Sequence, residues 1–123
     1  MGTMEVWMYR RLEVWQDAIK LIKSIYILVD ILPKSEDFNL KSQLKRAVVS
    51  VALNIAEGKC RSTAKEFAHF LNISSSSLSE VEAIINICTE LEYIKEDKEI
   101  CNQIKILNKR INALRNKLLK GEN

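Results

Sequence analysis

Polar side chains recur along one stripe of a mainly apolar segment between residues 40 and 57. Projected at about 100° per residue, they fall within an arc of about 80° on a helix whose remaining surface is largely Val, Ala, Ile and Leu. They are the first candidates for catalytic chemistry, because they could reach acidic residues of a neighbouring helix. No activated nucleophile or second acid–base group accompanies them, so we interpret the stripe as a buried structural network. Its predicted members are Gln43, Arg46, Ser50, Asn54, Glu57, Glu80 and Glu82.

Glu66 and His69 have the Glu-x-x-His spacing with which helical bundles hold di-iron centres. Such a centre needs two copies of the motif and two further inward glutamates, whereas this chain has one histidine in total. Only a site shared between subunits would supply the missing ligands. We therefore predict no metal site and no cofactor, and we expect His69 to lie at the surface or in an interface.

The remaining nucleophiles have no catalytic partners in the sequence. The serines of residues 74–77 have no matched His and Asp, and the chain contains no phosphate-binding loop. Cys60, Cys88 and Cys101 are an odd number without C-x-x-C spacing, so neither a disulfide framework nor a zinc site is predicted. We predict that the protein is not an enzyme. This use of cysteine is typical of a reducing cytoplasm.

Positive charge is concentrated late in the chain. Residues 104–120 include six cations and no acidic residue, although the net charge of the whole chain is only +3. On a helix most of these cations lie opposite the apolar seam, so they face either solvent or a phosphate backbone. No aromatic stacking motif accompanies them, and base-specific recognition is therefore not predicted. The predicted nucleic-acid-binding residues are Lys105, Lys109, Arg110, Lys117 and Lys120.

Helices must position all of these side chains. Three Gly and one Pro are too few for the turns of a β-rich protein of 123 residues. Apolar residues recur at steps of three and four, and Pro33 and Gly58 are typical of helix ends. We predict helices over residues 13–32, 40–57, 63–92 and 99–119. Because short links make neighbours antiparallel, we predict an all-α, up-down-up-down four-helix bundle that forms a single domain over residues 1–123.

The predicted core seams follow from the same periodicity. We expect Asn39 to adopt a left-handed or capping conformation before the second helix, and Ser62 or Thr63 to cap the third. The seam of the first helix comprises Leu12, Trp15, Ile19, Ile22, Tyr26 and Val29. The third helix contributes Phe67, Leu71, Ser74, Leu78, Val81, Ile85 and Cys88, and the fourth Ile100, Ile104, Leu107, Ile111, Leu114 and Leu118.

The second predicted helix carries a more specific signal, Gln43-Leu-Lys-Arg46-Ala-Val-Val-Ser50-Val-Ala-Leu-Asn54-Ile-Ala-Glu57-Gly58. This segment resembles the signature of the intervening-sequence four-helix-bundle proteins, named for reading frames within inserts of large-subunit ribosomal RNA genes. The resemblance covers roughly residues 9 to 95. Flanking matches are Leu12-x-Val14-Trp15-x-x-Ala18, Leu32-Pro33-x-x-Glu36-x-Phe38, Arg61-Ser62-x-x-Lys65-Glu66-Phe67-x-x-Phe70-Leu71 and Ser77-Leu78-x-Glu80-x-Glu82.

The resemblance implies a left-handed four-helix bundle that assembles as a ring of five subunits. A related branch contains the accessory variability proteins of diversity-generating retroelements, which are basic pentamers that associate with nucleic acid and with the reverse transcriptase. The second predicted helix also favours self-association, because its apolar surface is wider than a monomeric bundle would bury.

Two hypotheses about function follow. The first is a nonenzymatic homo-oligomer that contacts RNA or DNA through phosphates; a role as an accessory to a nucleic-acid enzyme, such as a reverse transcriptase, extends it. The alternative is a protein-interaction scaffold with no nucleic-acid role, whose basic face only keeps it in solution. No run of about 18 apolar residues occurs, so no membrane partner is predicted.

Overall fold

Four α-helices account for most of the chain. A computed structural model describes residues 8–121, in which α1 spans Glu13–Val29, α2 Leu40–Lys59, α3 Ala64–Glu90 and α4 Lys98–Gly121. Short 3-10 turns occupy Met8–Arg11 and Lys34–Glu36, and this part of the chain contains no strand. The prediction of an all-α four-helix bundle is confirmed. Residues 1–7 and 122–123, which the predicted domain included, lie outside the described residues.

Side-chain contacts between neighbouring helices show that they run antiparallel. Ser74 Oγ on α3 donates to the Val51 carbonyl on α2 over 2.7 Å, while Gly58 at the end of α2 lies against Phe67 at the start of α3. In the same way, Arg115 near the end of α4 donates to Asn72 near the start of α3 over 2.7 Å. Helix α1 packs against α2 and α4 and closes the bundle.

The core lies along the seams predicted for α3 and α4. All seven predicted seam residues of α3 are buried, as are the first four of α4, and Leu114 and Leu118 are half-buried. Ser74 is the one polar residue buried in this seam, and its hydrogen bond to Val51 satisfies the hydroxyl. The helical periodicity therefore located the core correctly in the second half of the bundle.

The core face predicted for α1 is wrong. Of the predicted stripe only Val29 is buried, and Tyr26 is 43% exposed. The other four residues, Leu12, Trp15, Ile19 and Ile22, are half-buried at the flank of the core. The buried face lies about 100° further around the helix. Two adjacent apolar stripes have helical spacing in this segment, and packing against α2 and α4 selects between them. The buried residues are Val14, Ala18, Leu21, Ile25, Leu28 and Val29.

The observed helix ends differ from the predicted ones by up to three residues. Helix α1 ends at Val29, and the following residues form turns in which Leu32 N donates to Val29 O over 3.1 Å. Pro33 explains this early end, because proline disfavours helical backbone in the residue before it and has no N–H to donate. At the other boundaries α2 and α4 are longer than predicted, and α3 is shorter.

Glu36 joins the two connections at one end of the bundle. Its Oε1 accepts hydrogen bonds from Asn39 Nδ2 at 3.0 Å and from Leu40 N at 3.4 Å, and its Oε2 accepts one from the Tyr93 hydroxyl at 3.0 Å. Asn39 occupies the N-cap position of α2, which was one of the two expectations, but its φ of −131° is not left-handed and its side chain makes no cap hydrogen bond. The Glu36 carboxylate serves the first turn of α2 instead, where negative charge is favourable.

Gly58 does not end α2, contrary to the sequence prediction. The helix continues through it to Lys59, and no described glycine has a positive φ. A Cβ at position 58 would lie 2.8 Å from Phe67 Cδ1 and 2.8 Å from Phe70 Cβ. Glycine is therefore needed here because α3 approaches α2 closely, and not because the backbone turns.

The close contact at Gly58 predicts the effect of one methyl group. We expect Gly58→Ala to lower the free energy of unfolding by about 1 to 2 kcal/mol, because overpacking outweighs the roughly 1 kcal/mol by which alanine favours a helix. Urea unfolding measures the change. Gly121→Ala is the matched control, since nothing lies within 4 Å of a Cβ there. Equal or higher stability of Gly58→Ala would show that the helices have room to separate.

The bond between Tyr93 and Glu36 predicts a loss of stability at alkaline pH. The hydrogen bond, then burial and then repulsion from the Glu36 carboxylate raise the pKa of Tyr93 above its ordinary value of 10.0. The stability that this shift contributes is complete below about pH 10 and is lost as the pH rises through the folded-state pKa. We expect Tyr93→Phe to lose less stability than the parent between about pH 9 and 11 in urea unfolding. An equal loss in both proteins would contradict the role of this hydroxyl.

Candidate nucleic-acid interface

Helix α4 holds four lysines away from the core. Its buried seam of Ile100, Ile104, Leu107 and Ile111 orients the opposite face outward. On that face the lysines are exposed, and none of them forms an ion pair or hydrogen bond within residues 8–121. We call this set the lysine face. It comprises Lys105, Lys109, Lys117 and Lys120.

Arg110 differs from these lysines, although the sequence prediction grouped it with them. Its Nη1 lies 2.6 Å from Asp17 Oδ2, and its Nε lies 3.5 Å from Glu13 Oε1, both on α1. The hydrogen bond to Asp17 and the charge of that carboxylate raise the pKa of Arg110. Arg110 therefore holds α4 to α1, and a phosphate would have to compete with two carboxylates for it. We remove it from the candidate interface.

Two cations of α4 lie on its side toward α3 and have different surroundings. Arg115, a cation outside the predicted set, is half-buried and donates to Asn72 on α3, so it contributes to helix packing. Lys105 lines a shallow pocket of about 250 Å³ together with Glu82 and Cys101. The acidic side chain in that pocket reduces the positive potential around Lys105 relative to the other three lysines.

Part of the predicted polar network forms between α2 and α3. Ser50 Oγ lies 2.9 Å from Ser77 Oγ, and Asn54 Nδ2 donates to the carbonyl and the hydroxyl of Ser50 over 2.8 and 3.1 Å. Ser77 was missed as a member of the network. The run of four small polar residues on α3 was the available signal, because small side chains permit close helix packing and their hydroxyls need partners.

Within residues 8–121, two further predicted members of the network make local contacts only. Gln43 Nε2 donates to Asn39 Oδ1 over 2.8 Å. Glu57 pairs with Arg61 one turn later, with 2.7 Å between Oε2 and Nη2. Both contacts lie at the surface, where such pairs contribute little stability.

Arg46, Glu80 and Glu82 do not join the network within one chain. All three side chains are exposed, and among the described residues none forms an ion pair or hydrogen bond. The expectation that they are buried with the rest of the stripe is wrong for the single chain, because they point outward from α2 and α3 and are hydrated there.

Glu66 and His69 lie in the first two turns of α3, and neither is part of a metal site in the described residues. The Glu66 backbone N–H donates to Thr63 Oγ1 over 3.1 Å, and the Glu66 carboxylate accepts from the Thr63 and Ser62 hydroxyls over 3.3 Å each, so Thr63 is the N-cap. The His69 ring is exposed and lies edge-on to Phe70, with 5.7 Å between ring centroids. Residues 8–121 contain no group of three or more His, Cys, Asp or Glu placed to hold a metal ion.

The three cysteines are free. Cys88 is buried, and burial followed by the charge of Glu36 raises the pKa of its thiol. The thiolate that a nucleophile requires is therefore disfavoured at that position. Cys60 and Cys101 are exposed near opposite ends of the bundle.

Comparison with known protein families shows to which family the chain belongs. The model of the family described as 23S rRNA-intervening sequence protein matches residues 10–113, which include all four helices except the last turns of α4. The chain belongs to the 23S rRNA-intervening sequence protein family. This agrees with the resemblance in the second helix, which carries Arg46, Ser50, Asn54 and Glu57. Among curated proteins, none has a sequence that matches this chain significantly.

None of the helices within residues 8–121 is both long and apolar enough to cross a bilayer. The apolar residues of these helices are instead divided between the core and several outward faces.

Proposed function

We propose that this member of the 23S rRNA-intervening sequence protein family is a nonenzymatic homo-oligomer that contacts RNA or DNA through phosphates. The observation that carries the proposal is the lysine face of α4. Its four lysines fall within an arc of about 120° and extend over about 22 Å of the helix axis. They have no ion-pair partners among the described residues, so they are available to phosphates without loss of a structural contact.

The chemistry of the lysine face favours backbone contacts over base recognition. Lysine ammonium groups attract phosphate as point charges, and the release of counterions makes such binding strongly dependent on salt. Residues 104–120 contain no aromatic side chain on which a base could stack. The family description names intervening sequences of 23S rRNA, which makes structured RNA the first polymer to test.

Self-association is the second part of the proposal. Large apolar side chains lie on the outward surfaces of α2 and α3, where Leu53 is 61% exposed and Ile87 46% exposed. A second copy would remove these surfaces from water. Repeating the lysine face around an assembly would also convert four weak contacts per chain into a multivalent one. A ring of five subunits is the assembly implied by the family resemblance.

We also propose that the protein acts in the cytoplasm, as an accessory to a nucleic-acid enzyme. Three free cysteines suit a cytoplasmic protein. A sequence-independent phosphate contact suits an accessory that holds nucleic acid for an enzyme, such as a reverse transcriptase.

A second candidate function is a protein-interaction scaffold. Apolar side chains are exposed at the end of the bundle where α1 ends and α2 begins: Phe38 is 98% exposed and Ile31 63% exposed. A protein partner that covers this end would give the molecule a role without nucleic acid. Such binding would weaken little with salt, which distinguishes it from phosphate contact.

The proposed self-association predicts the mass in solution. The chain has a mass of 14.2 kDa, and a pentamer would have about five times that mass. Light scattering coupled to size exclusion, at several protein concentrations, measures it. A mass of one chain at every concentration would contradict the homo-oligomer.

The lysine face predicts a specific loss of binding. We expect Lys105→Gln/Lys109→Gln/Lys117→Gln to weaken RNA and DNA binding at least tenfold at low salt, and to flatten the plot of log affinity against log salt. Folding should be unchanged, because the three side chains make no structural contact. Fluorescence anisotropy with unrelated RNA and DNA sequences measures affinity and slope.

Two controls accompany this experiment. Lys34→Gln/Lys65→Gln/Lys95→Gln removes the same charge from exposed positions outside the lysine face and should cost much less affinity. Arg110→Gln should reduce stability more than affinity, because Arg110 is paired with Asp17. Equal losses of affinity in the two triple variants would show that binding depends on net charge and not on the lysine face. Absence of binding by the parent at low salt would leave the scaffold as the better hypothesis.

A further inference from the structure

An outward face of α2 has the spacing of a packing seam. Within residues 8–121 three of its six side chains are exposed and three are half-buried, Val49 at the flank of the core. Its residues step by four, three, four, three and four, which aligns them along one side of the helix. Leu53, near the middle, is 61% exposed. We call this face the α2 outer seam. It comprises Ser42, Arg46, Val49, Leu53, Ala56 and Cys60.

Helix α3 carries a corresponding face on the side away from the core. Its residues step by three, four, three and four, and two of them are small enough to let another helix approach closely. Ile87, at the end of this face, is 46% exposed. We call this face the α3 outer seam. It comprises Ile73, Ser76, Glu80, Ala83 and Ile87.

Each outer seam contains one charged residue, and the two charges have opposite signs. Arg46 lies in the α2 outer seam and Glu80 in the α3 outer seam. Neither forms an ion pair or hydrogen bond within the described part of the chain. The two faces are therefore complementary in charge as well as in spacing.

We propose that the α2 outer seam of one copy packs antiparallel against the α3 outer seam of a second copy, with Arg46 of the first paired with Glu80 of the second. The inference rests on the proposed homo-oligomer and names the surfaces that form it. In this register Leu53 lies opposite Ile73 of the second copy, and Val49 opposite its Ser76.

The same register also covers the most exposed apolar side chain of the described residues. Phe38, immediately before α2, lies on a level with Ile87 of the second copy, because both are seven or eight residues from the charged pair. Two layers therefore match large apolar side chains, Leu53 with Ile73 and Phe38 with Ile87, on either side of the charged pair. Between them, Val49 lies opposite Ser76, and Ser42 opposite Ala83.

In a parallel arrangement Phe38 would be level with Asn72 and Ile73, and Leu53 with Ile87, so the spacing of the seams is compatible with both directions. The symmetry of a ring selects the antiparallel one.

The proposed contact has the symmetry of a ring. Within one chain α2 and α3 are antiparallel, so copies related by rotation about an axis along the bundle keep α2 of one antiparallel to α3 of the next. The contact is heterologous, and each copy uses both seams once, so a closed ring leaves neither exposed. The lysine face lies on α4, outside this contact, and remains open to nucleic acid in every copy.

Charge reversal tests the proposal. We expect Arg46→Glu and Glu80→Arg each to reduce the mass measured by light scattering from that of the oligomer toward 14.2 kDa. The double variant Arg46→Glu/Glu80→Arg should restore the oligomer. Glu82→Arg and Lys95→Glu are the matched controls, because they change charge at exposed positions outside both seams and should leave the mass unchanged. Circular dichroism checks that each variant is folded.

Mixing the two single variants separates a contact between copies from one within a chain. Opposite charges then meet only where a copy of one variant lies beside a copy of the other, so we expect the mixture to regain mass that neither variant has alone. No gain on mixing, or single variants that stay oligomeric, would overturn the proposed seam while leaving self-association intact. A monomeric parent would instead contradict the homo-oligomer itself.

A cross-link supplies a second test that does not depend on charged variants folding. In a Cys60→Ser/Cys101→Ser background, Leu53→Cys and Ile73→Cys are made in separate chains, one with a tag that alters its size. After mixing and oxidation with diamide, we expect a disulfide-linked product containing one chain of each kind. Products of two identical chains, or none in an oligomeric mixture, would contradict the register.

Discussion

The close approach of α2 to α3 is the constraint on which the rest of the bundle depends. At one end Gly58 admits the Phe67 and Phe70 side chains to van der Waals contact with the α2 backbone, where a methyl group would collide with both. Near the middle, Ser74 reaches the Val51 carbonyl, and a hydroxyl can do so only when the two helix backbones are near each other. Once α2 and α3 are held in this way, their large apolar residues can be buried only on the side that α1 and α4 cover.

The same constraint divides polar residues into structural and available ones. Ser50, Asn54 and Ser77 bond to each other in the crevice between the two helices. Arg46 and Glu80 lie outside the crevice and are hydrated in the single chain. A comparable division separates Arg110, which is held by two carboxylates of α1, from the lysines of the same helix. Helix α4 is therefore held to the bundle by Arg110, while its lysine face makes no ion pair with the described residues.

The sequence was sufficient for the helices and for the cores of α3 and α4, because in each segment a continuous apolar seam with heptad spacing coincides with the buried face. It was insufficient for α1, where two apolar stripes are equally periodic and the neighbouring helices decide between them.

Gly58 illustrates another limit. Local rules associate glycine with a helix end, but this glycine is needed because Phe67 and Phe70 of another helix lie against it. The stripe of α2 was recognised as polar, yet its division between crevice and surface depends on a rotation of the helix that periodicity alone does not determine. Arg110 was assigned to the wrong surface because its partners, Glu13 and Asp17, lie on α1, far from it in sequence.

The contact between Arg110 and Asp17 spans 93 residues of sequence, whereas Ser74 and Val51 are separated by 23. Contacts between nearby segments close smaller loops and form sooner. During synthesis the α2 and α3 hairpin can thus assemble while α4 is still being added, and α1 must wait for its second neighbour with an apolar side uncovered. Of the four helices, α1 leaves the ribosome before the others and is enclosed last, so among them it is exposed longest to chaperones and to aggregation.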